Sequence, residues 1–325
     1  MKVAYVSRYG PPEVVTFREV PTPSPGRGEV LVRVMATAVT SGDWRVRSGI
    51  MPRGFGALRG VALGFQGPRH PVLGTDAAGI IAAVGDKVTA FRVGEPVVAF
   101  PGSALGAHAE CLVMPAAGRL APKPPQLTFE EAAALPFGAM TALDFLRRGQ
   151  LKAGERVLVN GASGNVGTAA LQLAKHAGAH VTAVTSARNA DLVSALGADH
   201  VIDYASADFA HRGEYDIIVD TVGNAGYARV KPILAKGGRL LAVLADLPAM
   251  LRAPFVRGPL RHRVIAGPCA ETPALLREVC ELAAQGALRP VIDQRFAFEN
   301  LVDAYRVVDS GRKRGSVVVS LPTAS

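Results

Sequence analysis

Aromatic residues make up only 6% of this 325-residue chain, so Ala, Val and Leu must fill its core. Cysteine is also scarce. Cys111, Cys269 and Cys280 are odd in number and form no C-x-x-C pair. That excludes a disulfide framework and points to a reducing, cytoplasmic setting with buried thiols. No run of 18 apolar residues is present, which excludes a membrane-spanning helix. Residues 1–8 lack the apolar core of a signal peptide and read as a strand. Massed charge is missing too. The net charge is +9, yet the densest basic clusters are Arg312-Lys313-Arg314 and the looser Arg257, Arg261, His262 and Arg263. Neither is interleaved with aromatics, which disfavours nucleic acid as a partner. A pocket for an anionic cofactor and a solvated surface account for the excess.

What is present centres on residues 157–167. Val157-Leu158-Val159-Asn160 reads as a short apolar strand, and Gly161-Ala162-Ser163-Gly164-Asn165-Val166-Gly167 as a small-residue turn. An amphipathic segment with Ala169, Ala170, Leu171, Leu173 and Ala174 follows and stops near Gly178. A strand, a tight turn and a helix start place backbone N–H groups where a pyrophosphate can sit. Ala162, Ser163, Gly164, Asn165, Val166 and Gly167 are therefore cofactor-binding candidates. The next strand, Val181 to Thr185, runs into Ser186-Ala187-Arg188 rather than into a carboxylate. An acid there would hold the 2′-hydroxyl of NAD, whereas Ser186 and Arg188 suit the 2′-phosphate of NADP.

Residues 1–125 read as β-rich, with Val/Ile/Leu runs at Val14-Val15, Val30 to Val39, Ile80-Ile81, Val97 to Phe100 and Cys111 to Val113. Pro122-Lys123-Pro124-Pro125 marks a domain boundary. From 126 onward helices and strands alternate. Thr128 and Glu131 form a capping box. Strands are expected at His200 to Asp203, Tyr215 to Asp220 and Arg239 to Leu244, with helices at Asn189 to Leu196 and Ala225 to Ala235. This succession implies a parallel, doubly wound sheet. Ligands bind at the strand ends of such sheets, so Val222, Gly223 and Leu244 are expected to approach the ribose or nicotinamide. Residues 246–262 have no clear period and read equally as a mobile cover or a surface connection. Thr272-Pro273 opens a helix that Gly286 closes, and a last helix near Glu299 to Asp309 precedes a strand at Ser316 to Leu321.

Several further stretches share a pattern. They are Gly74-Thr75-Asp76-Ala77-Ala78-Gly79 with Val84-Gly85, Phe91-Arg92-Val93-Gly94-Glu95-Pro96-Val97, and Leu196-Gly197-Ala198-Asp199-His200-Val201-Ile202-Asp203-Tyr204. Gly237-Gly238-Arg239 and Gly315-Ser316-Val317-Val318 join them. Together they resemble the zinc-free quinone oxidoreductase-like branch of the medium-chain dehydrogenase/reductase superfamily, over nearly the whole chain. The resemblance implies an α/β protein with a cleft between two domains. One is a partly open, GroES-like β-barrel catalytic domain over 1–125, completed by 265–325. The other is an NADP-binding Rossmann domain over 126–264. A homodimer is expected from the resemblance alone.

Zinc enzymes of that superfamily bind the metal through Cys, His and a third ligand. The matching positions here are Thr40 and Thr75-Asp76, and the third region, Leu135 to Gly138, has neither Cys nor His. Threonine is not a usual zinc ligand. His70 and His108 stand at no ligand spacing from a cysteine and read as turn or surface residues, so no zinc is expected. Without a Lewis acid, an activated alkene or quinone is the easier hydride acceptor, because conjugation spreads the developing charge onto an oxygen that hydrogen-bond donors stabilise. NADPH-dependent reduction of a small enone, enal or quinone is the reading that results. Thr40 and Ser41 are candidate proton donors, and Asp43 matches a cleft-facing family position. Trp44 reads as core or substrate platform, and Arg47 as a pocket residue or an acid's partner. Thr141 matches a family L-T-A segment near the nicotinamide, and Tyr204 a residue beside the adenosine. Two alternatives stay open: a zinc-independent NADP-linked alcohol/aldehyde oxidoreductase, and a non-catalytic NADPH-binding protein.

Overall fold

β3 (Glu29–Val39) is the strand around which the first half of the molecule is organised in the structure, a computed structural model that describes residues 1–256 and 260–322. Only Glu29, Arg33 and Met35 along it escape full burial. Such near-continuous apolar character suits a strand covered on both faces. It pairs antiparallel with β4 (Ala77–Val84), β6 (Cys111–Pro115) and β15 (Ser316–Ser320). Register shifts at Leu31/Val32 and Val34/Ala36 bend it from one partner to the next. β5 (Pro96–Ala99) and β7 (Leu120–Pro122) extend the sheet beyond β4, and β14 (Ile292–Ala297) extends it beyond β15. β1 (Lys2–Val6) and β2 (Val15–Glu19) make a separate antiparallel pair. The result is the partly open, GroES-like barrel. Its core joins Val30, Val32, Val34 and Ile81 to Phe298, Leu301, Tyr305 and Val317 of the returning tail. The last helix, Leu301–Asp309, buries Leu301, Ala304, Tyr305 and Val308, the spacing of one helical face.

By its contacts the chain forms two compact units. The first holds Met1–Met51, Gly56–Phe137 and Glu271–Ser325; the second holds Pro52–Phe55 and Gly138–Ala270. The first unit therefore continues past residue 125, because the helix Phe129–Ala133, capped by Thr128 and Glu131, packs on β3, β4 and β15. Its tail returns at 271 rather than 265.

The second unit is a sheet of six parallel strands among the described residues. They are β8 (Arg156–Asn160), β9 (His180–Thr185), β10 (His200–Asp203), β11 (Tyr215–Asp220), β12 (Leu234–Ala242) and β13 (Arg263–Ile265). They lie in the order β10-β9-β8-β11-β12-β13, the doubly wound Rossmann arrangement. The order reverses between β8 and β11, and that is where such sheets bind ligands.

Two local expectations need correction. Ala225 to Ala235 is not one helix. The helix is only Tyr227–Val230, a 3-10 turn Lys231–Ile233 follows, and β12 starts at Leu234. Pro232 has no N–H to donate, so the helix stops before it. The aperiodic stretch after residue 245 contains the helix Leu247–Arg252, capped by Asp246, whose Oδ1 accepts the Ala249 N–H at 2.8 Å. Residues 257–259, Arg257 among them, lie outside the described residues. Of the three cysteines only Cys280 is buried; Cys111 and Cys269 are partly exposed. Burial pushes the Cys280 thiol up to about 12.

Candidate functional site

In the second unit, β8 ends at Asn160 and the chain turns at Gly161, whose φ of +80° is left-handed. Glycine adopts that conformation without a Cβ penalty. The helix Asn165–His176 begins at once, and its N-cap, Gly164, offers no side chain to the first turn. The opening N–H groups and the positive helix end therefore remain available for an anion. Gly167 lets the helix sit tightly against the strand end. A Cβ there would lie 2.1 Å from the Gly161 carbonyl oxygen. Ala162 is fully buried beneath the loop, while Ser163, Asn165 and Val166 are partly exposed on it.

Ser163 links this loop to the end of β9. Its Oγ accepts from Thr185 Oγ1 at 2.9 Å and from Asn189 Nδ2 at 3.0 Å. The same Asn189 amide donates to Ser186 Oγ at 3.2 Å. Arg188 is exposed beside this patch. The carboxylate that closes β10, Asp203, turns its Oδ1 to the N–H groups of Ala187 (3.2 Å) and Ala205 (3.1 Å). Tyr204 follows it and is 62% exposed.

At the reversal point, Asp220 ends β11 opposite Asn160. Its Oδ1 accepts from Asn160 Nδ2 at 2.8 Å and from the N–H groups of Val222 (3.1 Å) and Gly223 (3.0 Å). Its Oδ2 accepts the Ala225 N–H at 2.9 Å. This one carboxylate pins the turn that displays Val222. Gly223, at φ +88°, lies so close to Leu244 that a Cβ would meet the Leu244 carbonyl oxygen at 3.1 Å. The cofactor-binding candidates thus gather along one edge of one sheet. Thr141 lies in the same unit, partly exposed on the helix Pro136–Arg148. Sequence reasoning placed Asn160 and Gly161 in the strand and turn but did not mark them, Asn189 or Asp220 as site residues. The strand end at Asp220 was an available signal; Asn189 had none.

The remaining catalytic candidates lie in the barrel unit, where the helix Ser41–Ser48 follows β3. Thr40 and Asp43 cap it reciprocally. Thr40 Oγ1 accepts the Asp43 N–H at 3.2 Å, and Asp43 Oδ2 accepts the Thr40 N–H at 2.8 Å and the Thr40 hydroxyl at 2.6 Å. Asp43 Oδ1 accepts the Gly74 N–H at 2.9 Å. Both side chains are buried, whereas Ser41 is exposed. Thr75 adds a second hydroxyl 3.1 Å from Thr40 Oγ1 and 2.6 Å from Asp76 Oδ2. Asp76 Oδ1 accepts the Phe137 N–H at 2.8 Å. Burial pushes the Asp76 carboxyl up to about 8; the Thr75 hydrogen bond opposes the shift and the charge of Asp43 adds to it.

His108 is not a surface or turn residue. It is buried, with Nε2 3.2 Å from the Ala38 carbonyl oxygen and Nδ1 3.3 Å from the Tyr305 hydroxyl. These partners assign the neutral tautomer with the proton on Nε2. Burial holds its pKa below the usual histidine range. Arg47 is an acid's partner: its guanidinium makes two 2.7 Å bonds to Asp309 and a third to the Gly10 carbonyl. Trp44 packs against the barrel core. Thr40 and Thr75, the positions that match zinc ligands in the metal-dependent enzymes, carry hydroxyls, which are not usual zinc ligands. Among the described residues, no three His, Cys, Asp or Glu side chains stand together as a metal site.

Known proteins match along the whole chain. A family model described as alcohol dehydrogenase GroES-like domain covers residues 26–125, and one described as zinc-binding dehydrogenase covers 196–319. The chloroplastic quinone-oxidoreductase QR1 of Triphysaria versicolor is 30% identical in an alignment that covers 93% of this chain and 92% of its own. The human mitochondrial NAD(P)H oxidoreductase RTN4IP1 is 31% identical in an alignment that covers 97% of this chain and 88% of its own. The quinone oxidoreductase from Coxiella burnetii superposes with a TM-score of 0.87 at 27% identity, covering 99% of both chains. No helix of the described residues is long and apolar enough to cross a membrane.

Proposed function

Since the chain belongs to the zinc-free quinone oxidoreductase-like branch of the medium-chain dehydrogenase/reductase superfamily, we propose that it reduces conjugated carbonyl compounds (enones, enals or quinones) with NADPH and without a metal. Membership itself makes the chain a nicotinamide-dependent oxidoreductase. The residues fit the cofactor. The uncapped start of the helix Asn165–His176 with Ser163 and Gly164 would hold the pyrophosphate. Ser186 and Arg188 would hold the 2′-phosphate, Tyr204 would lie beside the adenosine, and Val222, Gly223 and Leu244 would line the ribose and nicotinamide. When bound, the reduced cofactor supplies the hydride. In this reading Thr141 orients the nicotinamide ring, and Thr40, Ser41 and Asp43 are the proposed hydrogen-bonding groups for the oxygen on which charge develops. A cytoplasmic homodimer completes the proposal.

One observation carries the NADPH assignment. The chain leaving β9 is met by the hydroxyls of Thr185 and Ser186, the Asn189 amide and the exposed Arg188, while the nearby Asp203 carboxylate is engaged by two backbone N–H groups. Arg188→Ala tests it. The NADPH dissociation constant is expected to rise about tenfold while that of NADH changes little, the loss of one charged hydrogen bond. Equal changes for both would remove the arginine from the 2′-phosphate. For the substrate class, NADPH oxidation is compared across enones, enals, quinones and saturated aldehydes. Turnover confined to saturated aldehydes and alcohols would replace the proposal with an alcohol dehydrogenase-type reaction.

A further inference from the structure

Four side chains of the barrel unit form one continuous file: Asp76, Thr75, Thr40 and Asp43. The spacings are 2.6 Å from Asp76 Oδ2 to Thr75 Oγ1, 3.1 Å from there to Thr40 Oγ1, and 2.6 Å on to Asp43 Oδ2. Thr75 Oγ1 also stands 3.5 Å from Asp43 Oδ2. Two buried carboxyl groups thus share a site, bridged by hydroxyls that each have a single proton to give. Asp43 accepts throughout: the Thr40 N–H, the Thr40 hydroxyl and the Gly74 N–H all point at it. Asp76 has only the Phe137 N–H and Thr75. Like-charged carboxyls at this range do not both ionise readily, and the one with fewer donors keeps the proton.

We infer that Asp76 is the proton reserve of the reduction proposed above, a neutral carboxylic acid that delivers its proton through the Thr75 hydroxyl. The inference rests on that proposed reaction. Hydride addition to the β-carbon of a conjugated carbonyl leaves an enolate. Thr75 gives its hydroxyl proton to the enolate while taking the Asp76 proton, so one O–H bond breaks as the next forms. Asp76 is left as a carboxylate, and water returns its proton after turnover. Thr75 suits the outer position: it is 6% exposed, against 1% for Asp76 and Thr40. The Thr40 N–H, the Thr40 hydroxyl and the Gly74 N–H converge on Asp43, which makes that carboxylate the acceptor end of the file. The charged groups facing the pair belong to several elements. Asp43 and Glu271 act on Asp76, Glu271 lying 3.8 Å from Arg119, and the charge of Asp43 acts in turn on His108 and Tyr305. Burial raises the Asp76 carboxyl to about 8, in keeping with a group that carries its proton at neutral pH.

Asp76→Asn keeps an acceptor for Phe137 and a donor for Thr75 but has no proton to lend. Infrared spectroscopy of the protein alone at pH 7 reads the carbonyl stretch of a protonated carboxyl group. The wild type is expected to show a band that Asp76→Asn lacks and that fades as pH rises through about 8. With an enone that the wild type reduces, kcat of Asp76→Asn is expected to fall about 100-fold, the scale of a lost general acid, with KM unchanged and a larger solvent isotope effect. Thr75→Val should behave alike and Thr75→Ser should recover most of the rate, which covers the case in which Asp76→Asn does not fold. No such band in the wild type, or kcat within about twofold of it in both Asp76→Asn and Thr75→Val, overturns the inference. A band that Asp76→Asn abolishes, with no turnover of any conjugated carbonyl, supports the stored proton and refutes the proposed substrate class instead.

Discussion

Two glycines three residues apart separate folding from cofactor binding. At Gly167 a Cβ would lie 2.1 Å from the Gly161 carbonyl oxygen, 2.8 Å from the Ala162 Cα and 2.9 Å from the Gly161 carbonyl carbon. A comfortable carbon–oxygen contact is about 3.3 Å, so Gly167→Ala needs roughly 1 Å of relief. All three obstacles are backbone, so the whole helix Asn165–His176 must move, and with it the packing of Ala169, Ala170 and Leu173. Overpacking of this kind costs about 3 kcal/mol, and a shift of about 1 Å in the phosphate loop weakens NADPH binding by about 100-fold. Gly164 is different. Its φ is −79°, an ordinary value, and its Cβ would meet a single neighbour, the Gly161 oxygen at 3.5 Å. Gly164→Ala therefore leaves the fold intact, or firms it by about 0.5 kcal/mol by restricting the unfolded chain. The new methyl group stands over the helix start, where the pyrophosphate must approach the backbone, and weakens NADPH by about 10- to 100-fold. Urea unfolding and calorimetric titration with NADPH, run on both variants, read the two effects independently. Wild-type affinity in Gly164→Ala would show that this loop is not the phosphate seat. An unchanged unfolding midpoint in Gly167→Ala would refute the packing argument.

Arg47→Ala should cost about 3 kcal/mol, since it strands the Asp309 carboxylate and the Gly10 carbonyl; the figure is at the low end for a buried pair because Asp309 keeps some water. A urea midpoint equivalent to less than about 1 kcal/mol of loss would reduce the pair to a surface one. Asp76 makes stability depend on pH with a definite sign. Its unfolded pKa lies near 3.9 and its folded value at about 8, so between these limits the native state holds a proton that the unfolded chain has released. Stability is then lost with rising pH at up to about 1.4 kcal/mol per unit, and Asp76→Asn removes this slope. Parallel unfolding curves for the two proteins from pH 5 to 8 would contradict the assignment. Dialysis against a zinc chelator should leave NADPH oxidation unchanged; a rate restored only by added zinc would overturn the metal-free reading.

The parts of this protein that neighbouring residues specify were legible in one dimension. The run from Val157 to Ala174 carries its own strand, turn and helix signals, because the turn needs Gly161 and the helix needs one apolar face. The Thr128–Glu131 box and the Thr272-Pro273 start are likewise local and stand where expected. Ala225 to Ala235 misled because it contains helix formers, while Pro232 and the pairing of Leu234 with Tyr215 end the helix early. The proton-holding cluster is another matter. Thr40 with Asp43, Thr75 with Asp76, His108 and Tyr305 come from four separate segments, and in the sequence Thr40 and Asp43 stood out only as a candidate proton donor and a cleft-facing family position. Their chemistry arises when β3 bends, β4 and β15 pair along it and the last helix seals the barrel, taking water from two carboxyl groups at once. Burial and mutual charge are properties of that closed volume. The order of residues therefore determined the architecture and the strand, turn and helix of residues 157–174, whereas only the folded barrel decided which carboxyl keeps a proton, which histidine stays neutral and which arginine is bound to an acid.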